Sequence, residues 1–440
     1  MSSDTMAGSA RPKTRLFALA GLCLLIAVAL SMVLNGCGGS SPNSATAPSQ
    51  PTQPSGPSVA LVSSTPCSSL PNGSDFFSSP TNPSTCQSAT IMNCPNAANL
   101  NVIYGYDAPP SPKGTIVFFS GGPGTAVDLG DINNATYYFS QGYEVIQVEW
   151  ADDWELTTIP AANGGSDTTT YTANIQLAAC RNATLLNYIF TGGNTKLYSG
   201  GGRCAQGSSA GSAAIAYALT FYGAGDYLDA VELISGPPLA NIYQGCAEPP
   251  PTPSLQVCPI GQAGCQLGGA SPWTLSPQYQ VTSLDPGAAP GVRKWTGDNS
   301  CNQLGTTTSS TSNQAWLQES IVNDGTNNPV YSYPTTAMSA WLCASVNQSG
   351  VTACTQGIAS DGGQGGVPQD SCPNNASSQA QFYYAKVASN NPQAAYNVYA
   401  VENCNGPEGA TDINTTVPAL NNLDGRDAVQ QDMVNRCVRP

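Results

Sequence analysis

The sequence predicts an α/β protein: a mostly parallel sheet flanked by helices, interrupted by one disulfide-rich insertion. Three observations carry that expectation. Short apolar runs alternate with segments of helical period between about residues 114 and 234. Those runs are apolar on both faces, as strands must be when helices cover a parallel sheet on both sides. The rhythm then lapses between Leu239 and about Asn390, where Gly, Pro and Cys accumulate, and returns near the end of the chain.

The elements follow in order from the N-terminus. Arg11, Lys13 and Arg15 precede an uncharged run from Leu16 to Leu34, a basic region followed by an apolar one, as in export signals. The run is also long enough to span a bilayer as a retained anchor. Leu34-Asn35-Gly36-Cys37 decides between the two, because it resembles the lipobox of bacterial lipoproteins, whose Cys is lipidated. The resemblance implies a signal peptide over 1–36, lipidation of Cys37 and a membrane partner held through acyl chains. Gly38 follows, where an Asp would by the same resemblance imply inner-membrane retention. The expected location is therefore the bacterial cell envelope, at the outer membrane or cell surface. Residues 37–60, rich in Gly, Ser, Pro and Thr, offer nothing to a core and read as a disordered tether.

Residues 61–440 form the expected folded domain. Strands are predicted over Gly114 to Ser120, Tyr143 to Trp150, Arg203 to Gly207, Ala230 to Ile234 and Tyr396 to Val401. Helices are predicted over Tyr171 to Phe190, Ser212 to Tyr222 and Ala428 to Cys437. The span of about 240–390 is read as a cap over the sheet's C-terminal edge, where α/β folds keep their sites.

Composition narrows the function classes. Thirteen basic against 27 acidic residues give a formal charge of −14, which opposes binding to phosphate backbones and excludes nucleic acid as a partner. Beyond Cys23 and Cys37, 14 cysteines remain, an even number that in an exported chain reads as seven disulfides. Cys343–Cys354 and Cys404–Cys437 are plausible local closures. With no histidine in 440 residues and no paired C-x-x-C, neither a metal nor another cofactor is expected.

The chemistry centres on Gly207-Ser208-Ser209-Ala210-Gly211, a G-x-S-x-G between a predicted strand and a predicted helix. That is the setting of a nucleophile elbow, a sharp turn that presents Ser209 Oγ. Upstream, Ser120-Gly121-Gly122-Pro123-Gly124 resembles the HGGPG loop of the α/β-hydrolase fold, in its proline-iminopeptidase-like branch. The resemblance covers about Asn101 to Leu239 and Asn391 to Cys437. It implies an oxyanion hole built from the Ala210 N–H and the Gly121-Gly122 loop. It also implies an acid after the strand ending at Val401. Glu402, Glu408 and Asp412 are the candidates, and Glu408, farther along a Gly-rich loop, fits the family's acid position best.

The family's histidine belongs just before the last helix, around Asp424-Gly-Arg-Asp427, and none is present there. Ser120 likewise replaces the histidine of HGGPG. A serine hydroxyl is a weak nucleophile until a base takes its proton. Loss of the base of a triad costs about 10⁶ in kcat, although about 10³–10⁴ over water survives from binding and the oxyanion hole. Asp424 and Asp427 are candidate replacements, but an ordinary aspartate ionises near pH 4, about three units below the best range for a base at neutral pH. A lysine base would be Lys113, Lys196, Lys294 or Lys386, none placed by a motif.

Three readings remain open. The leading one is a catalytically impaired hydrolase-like lipoprotein that binds a small molecule or peptide in the old cleft. The second is an active serine hydrolase of esters or peptides with a non-histidine base. The third is a structural or adhesive envelope protein, whose 19 Tyr and six Trp offer stacking surfaces.

Overall fold

The computed structural model describes residues 56–70, 76–79, 84–156, 175–192, 197–198, 200–237, 239–240, 319–323, 328–343, 396–401 and 423–439, with helical residues between 383 and 390 and short strands at Leu255–Val257, Trp273–Leu275 and Thr416–Val417. The signal, Cys37, the tether as far as residue 55 and most of the expected cap lie outside these residues. The expected end of the tether at residue 60 needs correction, because residues 58–60 already pair with Thr90, Ile91 and Met92 as the start of the first strand.

A nine-stranded sheet organises the domain. Its strands are β1 (Ser58–Pro66), β2 (Thr85–Met92), β3 (Leu100–Asp107), β4 (Gly114–Phe119), β5 (Glu144–Trp150), β6 (Gly202–Ser208), β7 (Ala230–Ile234), β10 (Ala337–Cys343) and β11 (Tyr396–Val401). The strands Leu255–Val257 and Trp273–Leu275 are β8 and β9, which pair with each other. The order across the sheet is β1-β2-β3-β5-β4-β6-β7-β10-β11. From β5 to β11 every pairing is parallel, whereas β1, β2 and β3 are joined antiparallel and β3 meets β5 antiparallel. The fold class is α/β, and beyond its extra edge strand β1 the order is that of an α/β-hydrolase sheet.

Why these residues become these strands is plain in the middle of the sheet. All six residues of β4 (GTIVFF) and all seven of β5 (EVIQVEW) are buried, as helices on both faces require. The predicted strands over β4, β5, β6, β7 and β11 agree with the structure to within a residue or so at their ends. The helix predicted from Tyr171 is seen as a short α2 (Ile175–Ala178) and α3 (Cys180–Thr191), broken at Ala179; 171–174 lie outside the described residues. The Ala-rich helix is α4 (Ala210–Tyr222), stopped by Gly223 in the left-handed region. The final helix, here α5, begins at Gly425, three residues before the predicted start, because Asp424 caps it by accepting the Asp427 N–H at 2.8 Å.

Helix α1 (Leu129–Ser140) and strands β1 to β3 were not anticipated. Asn, Thr and Tyr dilute the apolar stripe of α1, and Ser and Thr blur the alternation of β1 and β2. The span of about 240–390 also needs correction as a pure insertion, since β10 lies inside it and is a fully integrated strand between β7 and β11.

Three disulfides are described: Cys67–Cys86, Cys94–Cys180 and Cys204–Cys437. Cys437 is thus bound to the strand that leads into the elbow, 233 residues away in sequence, and the expected Cys404–Cys437 closure is wrong. Proximity in sequence misled, because the chain just past the end of α5 returns to β6. Cys354 lies outside the described residues, so Cys343–Cys354 does too.

Candidate active site

Strand β6 ends at Ser208 and α4 begins at Ala210, leaving Ser209 alone at the turn with φ 50° and ψ −121°. A side chain in that region is strained, and serine holds it only because its surroundings fix it. The Ser209 N–H donates to the Ile234 carbonyl at the end of β7, and the Ser209 carbonyl accepts from the Ser212 N–H at 2.9 Å. Both glycines of the motif are required by close approach. A Cβ on Gly211 would sit 1.9 Å from the Phe119 carbonyl oxygen, and one on Gly207 would sit 2.4 Å from that of Gly211. The elbow is therefore pressed against the end of β4, where the glycine loop begins.

That loop is held from two sides. Gly124, at φ 72°, lies against the Trp150 and Trp154 rings, and the Trp150 N–H donates to its carbonyl at 2.8 Å. On the other side Ser120 Oγ donates to Asp131 at 2.8 Å and accepts from the Asp128 N–H at 3.2 Å. The Gly121 N–H is occupied by the Asp128 carboxylate at 2.8 Å. Gly122 differs: its φ is 58°, and a Cβ built on it would meet nothing within 4 Å. Of the two loop glycines expected at the oxyanion hole, Gly122 borders open space and Gly121 is already bonded. Ala210 is the first residue of α4, where backbone N–H groups lack helical partners and the dipole favours negative charge.

The floor beside the loop is set by Arg181. Its guanidinium, fully buried, donates to the carbonyls of Ala98, Trp154 and Leu156. Burial pulls its pKa down to about 10, a fall that Asp153 and Asp152 partly oppose. The Cys94–Cys180 bridge ties its helix to the segment after β2.

Other candidates separate clearly. Asp424 is spent on the α5 cap and Asp427 is exposed. Lys113 precedes β4 at the N-terminal edge of the sheet, whereas Ser209 follows β6 at the C-terminal edge; six strand residues at about 3.3 Å each put them roughly 20 Å apart. Lys386 lies over the Tyr331 ring, 5.8 Å from its centre. Glu402, Glu408, Asp412, Lys196 and Lys294 lie outside the described residues. What sequence reasoning missed is the Ser120–Asp128–Asp131 brace. Its signal was present as Asp128-Leu-Gly-Asp131, an N-cap followed three residues later by an acid.

No protein-family model and no curated protein matches the chain. Among solved structures it is similar to carboxyl esterase 2 from the mycorrhizal fungus Tuber melanosporum, at 12% identity and TM-score 0.38, over 80% of this chain and 86% of that one. It is similar to an esterase domain from a Rhodothermus marinus protein at 11% identity and TM-score 0.32, over 80% and 99%. A third likeness is to α/β hydrolase domain-containing protein 10 from mouse, at 12% identity and TM-score 0.22; the match spans 33% of this chain and about half, 49%, of that protein.

Proposed function

We propose that this chain is an exported, lipid-anchored protein of α/β-hydrolase fold that binds a small molecule or peptide at the Ser209 elbow and turns it over poorly. The observation that carries the reading is a complete elbow in a chain without a single histidine. An oxyanion hole can polarise a reactive carbonyl, but without a base it does not generate the alkoxide efficiently. The lipobox-like Leu34–Cys37 supports the anchor.

A second reading, an active serine hydrolase with another base, draws support from the strained Ser209 backbone, a kind of strain that clusters at functional sites. Turnover of p-nitrophenyl acetate and labelling by a fluorophosphonate separate the two. Slow, weakly Ser209-dependent release is expected. Fast turnover lost in Ser209→Ala would establish the second reading instead. For the anchor, the wild-type protein should incorporate labelled palmitate in a bacterial host and Cys37→Ser should not.

A further inference from the structure

Asp128 stands at the N-cap of α1, yet its side chain makes no cap bond. It turns back and accepts the Gly121 N–H at 2.8 Å. Ser120 completes the helix start in its place, relaying the Asp128 N–H to the Asp131 carboxylate through one hydroxyl. Two carboxylates therefore lie against the loop that borders the Ser209 turn. Successive backbone nitrogens are about 3–4 Å apart, so an oxygen held by the Gly122 N–H would lie within roughly 5–7 Å of the Asp128 charge. Two like charges at that range in a partly desolvated cleft repel strongly.

We infer that Asp128 sets the charge preference of the cleft: its carboxylate braces the glycine loop while opposing negative charge at Gly122 and Ala210, so that the site accepts neutral or cationic ligands and resists anionic tetrahedral adducts. This rests on the reading of Ser209 as the centre of the site. The brace and the repulsion are separable. In Asp128→Asn the amide oxygen can still accept the Gly121 N–H, so the loop keeps this hydrogen bond while the negative charge is removed.

Phenylboronic acid is a probe whose equilibrium needs no general base. The Ser209 Oγ lone pair bonds to trigonal boron, the hydroxyl proton passes to buffer, and the boron retains both hydroxyls and gains a negative charge. Adduct formation is followed by boron NMR on the full chain at fixed mild alkaline pH. Asp128→Asn should bind about tenfold more tightly than wild type. Wild-type binding should tighten between low and about 0.5 M salt more than that of the variant, because salt screens the repulsion. Equal affinities, with binding abolished in Ser209→Ala, would overturn the role of Asp128 and leave the Ser209 reading standing. Adducts that form equally well in Ser209→Ala would overturn both. Should the variant not fold, the wild-type salt response still decides, since a flat response contradicts the inference.

Discussion

On the α4 side of the central strands, Ala205, Val231, Leu233, Met338 and Ala340 form an apolar floor. On the α5 side the same strands present the buried polar residues Gln206, Glu232 and Ser339, with Trp341, beside the apolar Cys204 and Ala230. The same three strands supply both faces, because successive side chains alternate. A hydrogen-bond network centred on Asp432 ties this face together. Asp432 of α5 accepts from Ser339 Oγ, from the Tyr399 hydroxyl at 3.2 Å and from Arg436 Nε at 2.7 Å. Trp341 Nε1 donates to Glu232 and stacks on Tyr399 with ring centres 4.2 Å apart. Burial, and then the neighbouring Asp432 charge, push the Glu232 carboxyl well above its ordinary range. An apolar face accepts a helix in many positions, whereas directed hydrogen bonds accept it in one. The elbow side of the site is thus fixed by backbone close packing, and the α5 side by a polar lock.

The largest expected effect tests the close packing. Gly211→Ala places a methyl 1.9 Å from backbone at Phe119, which no rotamer relieves. It should cost more than about 4 kcal/mol and abolish soluble folded protein. Recovery of a normally melting variant would show that the elbow does not touch β4 as described.

On the polar face, the Cys204–Cys437 bridge locks the end of α5 to β6. Its removal in the Cys204→Ala/Cys437→Ala double variant should cost about 2–4 kcal/mol by denaturant titration. Hydrogen exchange should rise first over residues 425–436, while α4 stays protected. Uniform loss of protection across both faces would mean that the two are not separately held.

How much of this was legible in the sequence divides along the same line. The apolar runs of β4 and β7 and the Ala-rich α4 announce themselves through period and composition, and G-x-S-x-G located the elbow. The partners of Asp432 come from β10, β11 and α5, and no sequence pattern brings together residues 339, 399 and 432. Strand β10 itself (AMSAWLC) was hidden because its flanks share the composition of the expected cap. The Asp128 brace was readable as a capping signature, but its reach back to Gly121 was not.

A carboxyl on the apolar side sharpens the contrast in pH. Glu144, buried beside Thr115 Oγ1 at 2.6 Å, is pushed up by desolvation to about 7, which the Thr115 bond only partly offsets. Its folded value lies above its unfolded value near 4.5. The stability it carries is therefore fully present below about pH 4.5 and is lost as pH rises through 7. Glu144→Gln should remove this loss, raising stability relative to wild type by about 2–3 kcal/mol at pH 8 with little difference at pH 5. Parallel stability–pH curves for the two proteins would contradict the assignment.

The smallest effect bears most directly on function. Asp424 accepts the Asp427 N–H at 2.8 Å and begins α5, at the place where the fold's histidine would have been expected. As a cap alone it contributes about 1 kcal/mol, so Asp424→Ala should lower the melting temperature by a few degrees. Asparagine caps a helix about as well as aspartate, so Asp424→Asn should melt like wild type. Neither change should alter the slow release of p-nitrophenol, because a carboxylate engaged at the helix start is not the base for Ser209. The paired variants separate stability from chemistry. If Asp424→Asn kept its stability but lost turnover, Asp424 would be acting on the substrate, and the α5 side would be part of a working active site.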